Sequence, residues 1–244
     1  MEPDNAKILS RTNSETGVLE TTDYAGLFLD LAIYLPVMFL VREIYFPPVG
    51  FLVNGLFWSF SSLAVASWRM KVRGVTWNEL GLYKPKSIKK TLEVSTLIVV
   101  SIIISMVGFQ LIKDQLPFLI ALDSSSEDAV SKFGDLKGNW PLFFLIIPMV
   151  LIESFLEELL DRGFLMNWFE KLFSKTSLAT ILAVVLQAVI FGFRHTYDLS
   201  ERSITVGIIG LIMGIAYVTF GRNLWPLIIA HCALNGSSML DRVL

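Results

Sequence analysis

Long apolar segments separated by short polar stretches make up most of the chain from residue 25 onward. A transmembrane helix needs about 20 mostly apolar residues. Seven segments meet this length, some with polar interruptions, and together they predict an all-α, polytopic integral membrane protein. The predicted spans are 25–41, 49–68, 91–112, 141–164, 177–195, 204–220 and 224–240.

Composition agrees with a membrane protein and excludes some other classes. Of the 244 residues 54% are hydrophobic and 17% charged, whereas soluble domains carry about 25% charged residues. A net charge of −2 argues against a nucleic-acid partner, which requires a basic surface. A single cysteine, Cys232, allows no internal disulfide bond. The polar residues 1–24 lack the basic start and early apolar run of a signal peptide, and we interpret them as an N-terminal tail.

The charges of two loops predict the orientation in the membrane. The loop 69–90 contains seven Lys and Arg residues, whereas the loop 113–139 contains five Asp and Glu residues against three Lys. By the positive-inside rule the first loop is cytoplasmic and the second faces outward. Alternation of the spans then places the N-terminus inside and the C-terminus outside.

The fourth predicted span contains five charged residues in ten, although one ionisable group at the centre of a helix in lipid costs at least about 2.5–3.5 kcal/mol. Glu158 and Arg162 are spaced i,i+4 and can pair on one helix face. Glu157 lies about 100° around the helix, between Glu153 and Asp161 on its own face. This arrangement predicts a reactive carboxylate, and the alternative is a charge cluster that only locks helices together.

Both histidines of the chain also lie in apolar segments. His195 shares a helix face with Phe191, and His231 shares one with Asn235. A single histidine in an apolar helix is more often a satisfied core residue, but two of them, one with an asparagine a turn away, favour a site. We expect Phe191 to be a packing residue and Arg194 to extend its charged end to the membrane interface.

Three motifs can be read in this order, each in a separate apolar segment: Glu157-Glu158-x-x-x-Arg162, Phe191-x-x-x-His195 and His231-x-x-x-Asn235. Together they resemble the CPBP family, which contains the type II CAAX prenyl endopeptidases and the bacteriocin-processing (Abi) membrane proteins. The resemblance covers roughly 139–240, and the segments 77–82 and 222–226 are also similar to this family. Asp161 departs from the family pattern, which usually has an apolar or aromatic residue there, and we expect it to compete with Glu158 for Arg162.

The resemblance implies a division of the chain into a tail (1–24), three transmembrane helices with their loops (25–138) and a catalytic membrane core (139–244). It also implies an endopeptidase that cleaves a membrane-anchored or lipidated peptide within the lipid bilayer. We expect the membrane to be the inner membrane of a bacterial cell. The sequence gives no indication of the oligomeric state.

The motif residues support a mechanism for this activity. We assign Glu157 as the general base and His195 as the group that orients the water or shares its proton. His231 and Asn235 would donate to the oxyanion, and one such donor is worth about 2.7–4 kcal/mol. Glu158 and Arg162 would support the helix that carries the base.

Three alternatives remain open at this point. Glu157, His195 and His231 could instead hold a divalent metal such as zinc, although no cofactor is required by the motifs. Intramembrane carboxylates and histidines also occur in transporters and proton relays, which often show inverted repeats that we do not find here. The third alternative is a non-catalytic bacteriocin-immunity protein on the same scaffold.

Overall fold

The computed structural model describes residues 23–115 and 133–244, and all regular structure in this part of the chain is helical. The predicted all-α class is therefore confirmed. A π-helical segment, Leu159–Leu165, joins Trp140–Glu158 (α4) and Met166–Leu172 (α5) into one continuous rod, so that the described residues form seven helical rods. The helices are α1 Tyr24–Leu40, α2 Gly50–Val72, α3 Ile88–Ile112, α4 Trp140–Glu158, α5 Met166–Leu172, α6 Ala179–Thr196, α7 Glu201–Thr219 and α8 Trp225–Val243.

Five helical stretches of the described residues are long and apolar enough to cross a membrane. The protein is thus a multi-pass membrane protein. The other two predicted spans, 141–164 and 224–240, correspond to α4 with the π-helical segment and to α8, the two helices that carry most of the candidate site residues. The five stretches are Tyr24–Glu43, Pro47–Val72, Ile88–Gln115, Ala179–Thr196 and Glu201–Thr219.

The rods run alternately between two ends of a bundle. At the first end, where α1 begins, the Tyr24 hydroxyl lies 3.1 Å from that of Ser174. At the second end, where α6 finishes, Arg42 donates a hydrogen bond of 3.1 Å to the Arg194 carbonyl. The orientation of these ends across the membrane stays a prediction. Residues 1–22 and 116–132, which hold most of the predicted tail and acidic loop, lie outside the described residues, and the proposed domain divisions also stay predictions.

A charge cluster near the first end joins α1, α2 and α5. Asp30 is fully buried and accepts hydrogen bonds from Nε of Arg69 and Nε of Arg73, each of 2.7 Å. The Trp168 indole N–H donates a third, of 3.0 Å. We call Asp30, Arg69, Arg73 and Trp168 the Asp30 cluster.

The two flanking segments that resemble the family, 77–82 and 222–226, pack against each other. The Leu224 N–H donates to the Gly81 carbonyl at 3.0 Å. Gly81 has a φ of +102°, and a Cβ there would collide with the carbonyl oxygen of Arg222, so this contact requires glycine. Leu224 is fully buried, and α8 therefore begins inside the protein, which brings His231 to the depth of Glu158.

Candidate active site

The first motif lies where α4 passes into the π-helical segment. Glu157 and Glu158 are the last two residues of α4, and all seven residues of Leu159–Leu165 are buried. π-helical turns often occur at functional sites, because they re-aim side chains relative to a regular helix. Within the segment, Asp161 contacts Arg194 of α6 and Arg162 contacts the Gly210 carbonyl of α7.

The structure brings the three motifs together around the carboxylate of Glu157. Nε2 of His195 lies 3.6 Å from Oε1 of Glu157. Nε2 of His231 lies 3.5 Å from Oε2 of the same carboxylate. One carboxylate from α4 therefore lies between imidazoles from α6 and α8.

Each imidazole is oriented by a second hydrogen bond through its other ring nitrogen. Nδ1 of His195 lies 2.7 Å from the Phe191 carbonyl, which can only accept, so Nδ1 carries the proton of a neutral ring. Nδ1 of His231 lies 2.7 Å from Oε1 of Glu158. Both rings consequently direct Nε2 toward Glu157, as catalytic imidazoles do when a backbone carbonyl or a carboxylate fixes their orientation.

Arg162 ties the first motif to its neighbours. Its Nη1 donates to Oε1 of Glu158 at 2.9 Å, and both side chains are fully buried. Its Nη2 donates to the Gly210 carbonyl in α7 at 3.3 Å. The guanidinium also lies over the Phe191 ring, 4.4 Å from its centroid. The predicted i,i+4 pair therefore connects α4 to α6 and α7, and Phe191 is a cation–π platform as well as a packing residue.

Two predictions for this region are wrong. Asp161 does not compete for Arg162, because it accepts a hydrogen bond of 2.8 Å from Nη2 of Arg194. Arg194 does not reach for the interface, since only 12% of its side chain is exposed and the same Nη2 lies 3.5 Å from Glu157. The physical reason is charge balance: a buried carboxylate needs a cation nearby, and the carboxylates of this rod outnumber Arg162.

The sequence contained a signal for this missed pair. Arg194 directly precedes the motif histidine His195 in an apolar helix and had no assigned partner. Asp161 was the unexplained extra carboxylate of the first motif. Matching each cation in the apolar segments with a carboxylate would have predicted the pair of Arg194 and Asp161.

Asn235 lies one turn after His231, beside α4. Its amide Nδ2 donates to the Ser154 hydroxyl at 2.8 Å, and that hydroxyl donates to the Val150 carbonyl at 2.9 Å. No other hydrogen bond to the Asn235 side chain occurs within the described residues. One amide N–H of Asn235 is therefore left to donate to a ligand.

A cavity of about 300 Å³ begins at these side chains and extends to the second end of the bundle. Glu157, His195 and Asn235 line its inner part, together with Glu153. This volume is at the lower limit of typical ligand pockets, roughly 300–1,000 Å³. The outer part is lined by arginines and aromatic residues: Arg42, Arg202, Arg242, Phe51, Trp58, Phe133 and Tyr197.

The possible zinc ligands Glu157, His195 and His231 face one another through the carboxylate oxygens and the two Nε2 atoms, and the zinc alternative stays a prediction. Among residues 23–115 and 133–244, no group of three or more His, Cys, Asp or Glu side chains is placed to hold a metal ion. The Nδ1 atoms of His195 and His231 have hydrogen-bond partners, an arrangement that also occurs when Nε2 binds a metal.

Comparison with known families adds an independent result. Residues 139–237 match the family model of the type II CAAX prenyl endopeptidases, Rce1-like. The predicted family resemblance is confirmed. This range contains all three motifs, and at the level of the family the match supports an intramembrane protease of the CAAX type. No curated protein and no solved structure matches the chain significantly.

Proposed function

We propose that the protein is an intramembrane endopeptidase that hydrolyses a peptide bond of a membrane-associated or lipidated substrate with a water activated by Glu157. The observation that supports this most directly is the position of the Glu157 carboxylate. It lies within 3.6 Å of both imidazole Nε2 atoms at the inner part of the cavity.

The arrangement gives each motif residue a step in hydrolysis. Glu157 accepts a proton from the attacking water, and Nε2 of His195 holds that water by accepting its second hydrogen. His231 acts as the imidazolium: its Nδ1–H donates to Glu158, and its Nε2–H and the spare amide N–H of Asn235 donate to the oxyanion. Donors placed in advance in a low-dielectric site stabilise the transition state because they need no reorganisation.

The proposed substrate class combines the family match with the position of the site. The matched family is one of prenyl endopeptidases, so a lipidated peptide is the first substrate to test. The cavity extends from Glu157 to the second end of the bundle, which gives a membrane-anchored chain a route to the site from that end. The motifs also resemble bacteriocin-processing proteins, and we accordingly extend the proposal to the inner membrane of a bacterial cell.

Cleavage of two matched peptides by the purified protein in liposomes tests this proposal. Both carry a Cys-aliphatic-aliphatic-X end and a quenched fluorophore, and one of them is farnesylated. We expect wild-type protein to cleave the farnesylated peptide and Glu157→Gln to be at least about 10²-fold slower, since a general base contributes 10²- to 10⁴-fold. The control variant is Asp241→Asn, an exposed carboxylate that does not line the cavity.

Each outcome separates the proposal from its alternatives. Equal rates for wild type and Glu157→Gln would contradict glutamate-driven hydrolysis, and a non-catalytic scaffold predicts no cleavage by either protein. Cleavage of neither peptide would contradict the proposed function, and equal cleavage of the two peptides would contradict the lipidated substrate class. A chelator added to the same assay tests the zinc alternative, because the reaction proposed here keeps its rate.

A further inference from the structure

Glu153 is a cavity carboxyl group that no motif includes. It lies one turn before Glu157 on the same face of α4, and the Cβ atoms of such i,i+4 pairs are about 5–6 Å apart. Its Oε1 accepts a hydrogen bond of 2.5 Å from the Ser59 hydroxyl of α2. Its Oε2 is buried and has no hydrogen-bond partner. Both Glu153 and Glu157 line the inner part of the cavity.

Glu153 differs from the other carboxylates of this rod in having no cation. Within the described residues, no Lys, Arg or His nitrogen lies within 4.0 Å of its oxygens. A buried carboxylate without a counter-ion is costly, whereas the neutral acid costs far less. The three other carboxylates each contact an arginine: Glu157 and Asp161 contact Arg194 at 3.5 and 2.8 Å, and Glu158 contacts Arg162 at 2.9 Å.

The other acids near the reacting bond are already engaged. The Nδ1 proton of His195 is donated to the Phe191 carbonyl. His231 is held on Glu158 through Nδ1, and its Nε2 faces Glu157. Glu153 is thus the carboxyl group beside the base that can hold a proton without breaking an ion pair.

We propose that Glu153 is a second catalytic residue, the general acid that protonates the leaving amine. The inference rests on the proposed peptidase function and adds a residue to it. The hydroxyl of the neutral Glu153 side chain, with its carbonyl oxygen held by Ser59, supplies the proton at Oε2.

The proton balance of the reaction closes with this assignment. The water oxygen bonds to the carbonyl carbon, and one water proton passes to Glu157. The C–N bond then breaks with its electron pair on nitrogen, which takes the proton of Glu153. The products are a carboxylic acid and an amine, and the proton on Glu157 passes to Glu153 to restore both side chains.

A pair of substrates with one acyl group tests the assignment, because only an amine leaving group needs a proton. The acyl group is N-acetyl-S-farnesylcysteine, joined either to an aliphatic tripeptide by an amide bond or to 4-nitrophenol by an ester bond. We expect Glu153→Gln to slow amide hydrolysis by about 10²-fold or more and to leave enzyme-catalysed ester hydrolysis nearly unchanged. Glu157→Gln should slow both reactions, since both need an activated water.

The outcomes distinguish a general acid from a structural role. An unchanged amide rate in Glu153→Gln, or an equal loss with both substrates, would overturn the inference while leaving the role of Glu157 intact. A wild-type protein that hydrolyses neither substrate would overturn the proposed function and this inference with it.

A second variant keeps the test decisive if Glu153→Gln does not fold, as judged by gel filtration and thermal unfolding in detergent. Ser59→Ala retains the carboxyl group and removes only its hydrogen-bond donor. We expect it to slow the amide reaction by a smaller factor and to spare the ester, and equal effects on both would again overturn the inference. Asp241→Asn should match wild type with both substrates.

Discussion

The Asp30 cluster and the site around Glu157 are both groups of buried charges, but guanidiniums outnumber carboxylates in the first and carboxyl groups outnumber guanidiniums in the second. In the Asp30 cluster a single carboxylate contacts two guanidiniums and an indole N–H, so both of its oxygens are satisfied. On α4 and the π-helical segment there are four carboxyl groups; three of them contact one of two arginines, and Glu153 contacts neither. Among the residues that the structure describes, three carboxyl oxygens there have no hydrogen-bond partner, one each on Glu153, Glu158 and Asp161.

The difference separates a stabilising cluster from a reactive one. Buried polar groups are normally satisfied, and exceptions require an explanation such as a catalytic role. None of the four residues of the Asp30 cluster lines the cavity, whereas Glu153 and Glu157 do. Buried carboxylates whose oxygens all have hydrogen-bond partners, and that lie away from a cavity, therefore indicate a cluster that stabilises the fold. Buried carboxyl groups that lack such partners beside a cavity indicate a site for a substrate.

The largest expected effect is the loss of stability caused by Asp30→Asn. Removing one partner of a buried ion pair typically costs about 3–5 kcal/mol, since the remaining charge is left uncompensated, and here Arg69 is only 7% exposed. We expect a large drop in unfolding temperature in detergent, with the activity per folded molecule retained.

The matched variant for this comparison is Glu157→Gln, which should slow the reaction by at least about 10²-fold with little change in unfolding temperature. Equal effects of the two variants on stability and activity would contradict the distinction between the clusters. Far-UV circular dichroism at a temperature below both transitions verifies that the compared proteins are folded.

The next effect in size is that of Asn235→Ala on the reaction rate. If the spare amide N–H donates to the oxyanion, its loss should lower kcat by about 10²- to 10³-fold, or about 2.7–4 kcal/mol, with KM nearly unchanged. A Ser154→Ala variant retains that donor but releases the other N–H of Asn235, and it should lose less. A rise in KM at constant kcat would instead mean that Asn235 only binds the substrate.

Helix periodicity made one part of the site predictable. Residues spaced i,i+4 on one helix must be neighbours, and the Glu158–Arg162 pair follows from this rule alone. Contacts between helices depend on rotation and depth, which the sequence does not encode locally. The pairing of Asp161 with Arg194 across two rods depends on both, and it was missed.

A neutral hydrogen-bond partner of a buried carboxyl group is harder to predict from the sequence than a charged partner. Ser59 lies in a predicted span without any charge or motif to mark it, and its contact with Glu153 becomes visible only when α2 packs against α4. The π-helical segment also had no sequence signal. The fold class and the family could thus be predicted, whereas the proton-holding carboxyl group could not.

The smallest expected effect concerns Asp23, an exposed residue beside the Asp30 cluster whose carboxylate contacts the guanidinium of Arg73. Nη1 of Arg73 lies 2.6 Å from Oδ2 of Asp23, and this hydrogen bond holds the pKa of the Asp23 carboxyl below its usual range. A group whose pKa is lowered by folding stabilises the protein above its unfolded pKa, and this contribution is lost as the pH falls through the folded pKa.

Asp23→Asn should therefore lower the unfolding temperature slightly at pH 7, and the gap to wild type should close below about pH 4, near the usual pKa of aspartate. Asparagine still accepts the N-cap hydrogen bond of α1 that Asp23 now accepts from the Gly26 N–H, so the charge is the principal change. Unfolding scans of both proteins in detergent from pH 7 to pH 3 measure the gap. Arg73 keeps its hydrogen bond to buried Asp30 in this variant, so the expected loss of unfolding temperature is small. A large loss at pH 7 would show that the stability of the Asp30 cluster depends on the exposed Asp23 and not on its buried contacts alone.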